Sequence, residues 1–98
     1  MVKTKPFDAA AYLDSPEAIA AYLSEAFETH DASFITEALG TVARAKGMAS
    51  IAKTTGLSRE NLYKALSGEG HPEFGTVMKV LDTLGVQLHA EPKAARIA

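Results

Sequence analysis

Apolar residues recur at intervals of three and four in successive blocks of this chain, a spacing that predicts helices. The first block is Ile19, Tyr22, Leu23, Ala26 and Phe27, ending near Thr29. It opens on Ser15-Pro16-Glu17: a capping hydroxyl, a proline at the first helical position, and an acid in the first turn. The second block is Phe34, Ile35, Ala38, Leu39, Val42 and Ala45, with Asp31 as its cap. Gly40 interrupts it at a cost of about 1 kcal/mol relative to alanine, a cost that close approach of another helix would offset. Arg44 and Lys46 fall in the last turn, where cations suit the helix dipole, and Gly47 stops the helix. A short third helix is expected from Met48 to Thr55, with Ile51 and Ala52 inward. After the turn Gly56-Leu57-Ser58, a fourth covers residues 59–67, with Leu62, Ala65 and Leu66 inward. The loop Gly68-Glu69-Gly70-His71-Pro72 precedes a fifth helix over residues 73–84, with Phe74, Val77, Met78, Leu81 and Leu84 inward, ended by Gly85.

Beyond Gly85 the period changes. Val86-Gln87-Leu88-His89-Ala90 alternates, which predicts a short strand. Residues 1–14 are expected to be an extended N-terminal segment, since Pro6 rules out an early helix, and residues 91–98 a frayed tail. The expected fold class is all-α: one domain over residues 1–98, with five helices and at most one short C-terminal strand. A lone strand needs a neighbour. It must come from the N-terminal segment, a second copy of the chain, or another protein.

Composition narrows the function classes. With 98 residues and 47% hydrophobic content, the chain can bury one core. It has no cysteine, which excludes disulfides, thiolate metal sites and thiol catalysis. No apolar run approaches the roughly 20 residues of a membrane helix, and no apolar stretch follows Lys3 and Lys5 as a signal peptide would require. A cytoplasmic protein is expected. The net charge of −2 is unevenly spread. Residues 1–39 carry net −5, from Lys3 and Lys5 against Asp8, Asp14, Glu17, Glu25, Glu28, Asp31 and Glu37. Residues 40–68 carry net +4, from Arg44, Lys46, Lys53, Arg59 and Lys64 against Glu60. Residues 69–98 carry net −1.

The basic block coincides with the most specific spacing in the chain. Ala52 lies four residues before Gly56, Leu57 follows the glycine, and Leu62 comes six after it. A small residue suits the point where two helices cross, glycine tolerates positive φ in the turn, and the two leucines bury to fix the crossing angle. This is the pattern of a helix-turn-helix over residues 48–67, a unit that lays its second helix in the major groove of duplex DNA. Arg59 and Glu60 then lie nearest the base edges. Arg59 suits guanine, and Glu60 suits cytosine N4 or orients Arg59. Lys64, one turn on, reaches a base or a phosphate. Lys53, Ser58 and Asn61 suit phosphate contacts, which set register without reading sequence. Tyr63 packs on a neighbouring helix or touches the DNA backbone. The helix N-termini near Gly47 and Ser58 offer further N–H groups to phosphate.

Other chemistry finds no support. His30, His71 and His89 lack ligand spacing. Gly68-Glu69-Gly70 lacks the lysine and the strand of a phosphate loop. No serine, histidine and acid are placed for nucleophilic catalysis. No enzyme activity, cofactor or metal is expected. The acids Glu17, Glu25 and Glu28 form a solvated face, or one that meets a basic protein.

The chain resembles the addiction-module antidote family, the HigA-like antitoxins among the Xre-type, phage-repressor-like (lambda repressor-like) helix-turn-helix proteins. The residues that carry the resemblance are Pro6-Phe7-Asp8, Tyr12-Leu13, Ile19-Ala20-Ala21-Tyr22-Leu23, Ala38-Leu39-Gly40, Ala43-Arg44-Ala45-Lys46-Gly47-Met48, the run from Thr55-Gly56-Leu57-Ser58-Arg59 through Glu60-Asn61-Leu62-Tyr63-Lys64-Ala65-Leu66, Thr76-Val77-Met78-Lys79-Val80-Leu81, and Leu84-Gly85. It spans about residues 4–90. It implies a five-helix domain that binds an operator, represses its own operon, and neutralises a RelE/ParE-like toxin. The DNA-binding form expected is a homodimer. The alternative is a stand-alone regulator with no toxin partner. Met48 departs from the pattern, standing where many phage repressors present a glutamine to phosphate.

Overall fold

The structure, a computed structural model, describes residues 12–93. The expectations for residues 1–11 and 94–98, including Pro6-Phe7-Asp8, lie outside that range. Five helices follow in order: α1 (Pro16–Glu28), α2 (Ala32–Lys46), α3 (Met48–Thr55), α4 (Arg59–Ala65) and α5 (Phe74–Leu84).

The ends of the helices are set by the residues that the sequence marks. Ser15 is extended, and its Oγ accepts from the Ala18 N–H at 3.1 Å. Asp31 Oδ1 accepts from the N–H groups of Ser33 and Phe34 at 3.1 and 3.2 Å. Gly47 has φ 121° and serves as the last cap of α2 and the first of α3, so it alone separates those helices. Gly85 ends α5 in the left-handed region, φ 79°, where a β-carbon is unfavourable.

α3 is the hub. It packs against α2, α4 and α5, while α1 lies on α2 and α2 also meets α5. The buried core draws on every helix: Ile19 and Leu23 from α1, Leu39 and Val42 from α2, Ile51 from α3, Leu62 from α4, and Val80, Leu81 and Leu84 from α5. Gly40 lies at a close approach. A β-carbon there would run into the backbone carbonyl of Leu66, just past α4. The same side of α2 is tied to the following loop by Ser33 Oγ, which donates to the Gly68 carbonyl.

Several expectations need correction. Residues 86–90 form no strand, and none occurs among the described residues. Alternation assigns side chains to faces, but a strand also needs a paired backbone, and among the described residues no backbone group pairs with residues 87–90. Phe74 and Met78 are not inward; they are 68% and 44% exposed. The buried arc of α5 is set by Val77, Val80, Leu81 and Leu84. At about 100° per residue, Met78 falls about a third of a turn from its centre. Phe34 is likewise exposed, at the start of α2. α4 ends at Ala65 rather than Ser67, with Leu66 as its cap. Leu13, before α1, is buried in the core, a burial that the sequence pattern did not mark.

Candidate nucleic-acid interface

The surface singled out by the basic block is built by α3, α4 and the three residues between them. Gly56 has φ 80° and ψ 3°, and its N–H donates to the Ala52 carbonyl at 2.9 Å. Thr55 is buried, and its Oγ1 donates to the Ala52 carbonyl and accepts from the Leu57 N–H at 3.3 Å. Spacing alone did not reveal this second brace; a threonine directly before the turn glycine is its only signal. Leu57 packs half-buried on the core, and Leu62 is fully buried. Ser58 then caps α4, its Oγ accepting from the Asn61 N–H at 3.0 Å.

This inward set leaves the other side of α4 in solvent. Lys53, Ser58, Arg59, Glu60, Asn61, Tyr63 and Lys64 are all exposed. On the helix, Glu60, Tyr63 and Lys64 centre the outer face, with Arg59 and Asn61 on its two flanks. No hydrogen bond or ion pair within the described residues engages the side chains of Lys53, Arg59, Glu60, Tyr63 or Lys64. Their donors and acceptors are therefore open to a ligand. Ser58 differs, because its oxygen already accepts a backbone N–H; only its O–H proton remains to be given away. The remaining cations of the block, Arg44 and Lys46, are also exposed, with Arg44 donating to Thr41 Oγ1 at 3.4 Å.

At the start of α3, Gly47 offers no side-chain cap, so the first-turn N–H groups there have no side-chain partner. Met48 is buried, so its side chain offers no contact to a ligand at this helix start. On the far side of α4, a shallow groove of about 470 Å³ runs between Asn61 and Lys64 on one wall and His71, Pro72 and Thr76 on the other. The loop forming that wall is held close, since a β-carbon on Gly70 would strike the carbonyls of Lys64 and Ala65. His71 and Thr76 thus border the surface, although the sequence pattern gave no reason to choose them. Among the described residues no cluster of three or more histidine, cysteine or acidic side chains is placed to hold a metal, and no helix is long and apolar enough to cross a membrane.

A family model described as "Probable addiction module antidote protein" matches residues 3–92. An uncharacterized protein of Haemophilus influenzae is 48% identical over 87 residues, which cover 89% of this chain and 90% of the relative. No solved structure matches the chain significantly.

Proposed function

The chain belongs to the probable addiction module antidote family, and from that premise we propose that it is the DNA-binding antitoxin of a toxin–antitoxin module. In this reading α3 and α4 form a helix-turn-helix within a phage-repressor-like domain. α4 enters the major groove of an operator, and the protein represses its own operon as a homodimer in the cytoplasm. It also binds and neutralises a toxin, of the RelE/ParE kind in the family that the sequence resembles.

The observation that carries the DNA-binding half is the composition of one exposed face. Arg59, Glu60, Asn61, Tyr63 and Lys64 project from a short helix whose other side is locked into the core, and no described residue engages the side chains of Arg59, Glu60, Tyr63 or Lys64. Arg59 offers a planar fork of donors suited to guanine N7 and O6. Glu60 accepts from cytosine N4 or holds Arg59 in register. Lys53, Ser58 and Asn61 donate to phosphates, and Tyr63 lies against the backbone.

The test is a gel shift on the DNA upstream of the gene. Arg59→Ala is expected to cost about 1–3 kcal/mol and to relax specificity at one base pair. An unchanged affinity and footprint would remove Arg59 from the interface. Co-purification with the product of the adjacent gene tests the antitoxin half. DNA binding without any such partner would favour the second reading, a stand-alone regulator.

A further inference from the structure

Residues 86–93 leave α5 as chain without regular structure, with Val86 half-buried against the core and residues 87–93 exposed. The Val86 N–H donates to the Leu81 carbonyl at 3.0 Å, closing the end of α5. From Gln87 to Lys93 no backbone group bonds to another among the described residues. The segment lines one wall of a groove of about 570 Å³ whose other wall is α1, with Leu23, Phe27 and Leu81 beside Val86 and Leu88. It therefore combines alternating apolar side chains, an open backbone edge and an adjoining groove whose apolar floor is rimmed by Glu28, His30 and Glu91.

We propose that residues 86–90 pair antiparallel with the same residues of a second copy, about a two-fold axis through Leu88. In that register Val86 lies opposite Ala90, Gln87 opposite His89, and Leu88 opposite itself. One face of the two-stranded ribbon is then Val86, Leu88 and Ala90 twice over. It extends the apolar wall of the groove and covers Leu88, which is 39% exposed in the single chain. The other face carries only Gln87 and His89, which can hydrogen-bond across the strands. The backbone groups that are open from Gln87 onward gain partners, as an unpaired edge requires.

Charge favours a second copy as the occupant. Residues 86–90 contain no acid, lysine or arginine, so the two-fold axis brings no like charges together. A two-fold contact made instead through the outer face of α1 would set Glu17 and Glu25 against their own copies. The register also carries Lys93 past the C-terminal end of the second copy's α5. That last turn holds Asp82 and no cation of its own, and a positive charge is favourable there.

The inference rests on the proposed homodimer and names its interface. The chain has no cysteine, so single cysteines report the register cleanly. Full-length Leu88→Cys, Val86→Cys and Ala90→Cys are made, checked for cooperative melting, oxidised mildly, and run on a non-reducing gel. Sedimentation velocity is measured on the wild type. Opposed α-carbons of a strand pair lie within disulfide reach, so Leu88→Cys is expected to form covalent dimers about tenfold faster than Val86→Cys. The two Val86 positions would be four residues out of step, about 13 Å apart. A mixture of the Val86→Cys and Ala90→Cys chains is expected to cross-link faster than either alone. A wild-type dimer in which Leu88→Cys is no faster than Val86→Cys overturns the interface and leaves the dimer, with the exposed Phe74 and Met78 face of α5 as the next surface to probe. A monomer overturns both, while the gel shift still decides DNA binding by itself.

Discussion

At position 40 one hydrogen atom stands where any other residue would put carbon, and the Leu66 carbonyl fills the space beyond it. Position 56 also requires glycine but for another reason: a β-carbon there meets nothing within 4 Å, while φ is 80°. The two sites should therefore respond differently. Gly56→Ala is expected to cost about 1 kcal/mol through backbone strain, with asparagine milder because it tolerates the left-handed region. Gly40→Ala should cost about 1–3 kcal/mol through overpacking against backbone, and asparagine should be worse. Denaturant titration of the four variants checks the opposite ranking. The sequence marked both glycines correctly, because turn chemistry and helix interruption are local signals. It did not mark Thr55 or Leu13, whose burial depends on what the rest of the chain folds over them.

At the scale of the element, α4 has seven residues, too few to be stable alone. It depends on Leu62 and Leu66 beneath it and on Ser58 at its start. The cap and the proposed phosphate contact fall on one oxygen, and substitution can separate them. Ser58→Ala should lose about 1 kcal/mol of stability with the cap. Ser58→Asp should keep the cap and the melting temperature yet weaken DNA binding, by setting a negative charge against phosphate. Equal losses of affinity in the two variants after correction for folding would count against the contact. The helices themselves were legible: the caps at Ser15, Asp31 and Ser58 and the stops at Gly47 and Gly85 all stand where side-chain chemistry put them. The errors lay in facing. Phe74 and Met78 continue an apolar spacing around α5, but Val80 takes the buried position because the arc is set by three-dimensional neighbours. In residues 86–90 alternation predicted a strand, although a ladder also needs a second backbone.

At the scale of the whole molecule the charges segregate. The block at residues 40–68 is net +4 in a chain of net −2, so in the proposed complex the attraction to phosphate comes from that block. Affinity for DNA is then expected to fall linearly with salt on logarithmic axes, and Lys53→Ala should weaken binding to all sequences alike while lowering that slope by about 1. A flat salt response would argue against phosphate contacts altogether. A two-fold dimer would space its half-sites about one helical turn, roughly 34 Å, which footprinting reads directly.

The attachment of Ser33 to the Gly68 carbonyl, beside the Gly40 contact with Leu66, has a consequence for fidelity. α4 is held at its start by the turn and at its finish by a helix more than twenty residues earlier in sequence, which restrains the pitch at which it would lie in the proposed groove. A protein loosened at that rear mooring by Ser33→Ala would still find DNA through its charges. It would choose among sequences less well, because right and wrong base pairs would meet a helix able to tilt. If α4 reads an operator as proposed, discrimination there is partly stored in α2, in residues that need never touch a base.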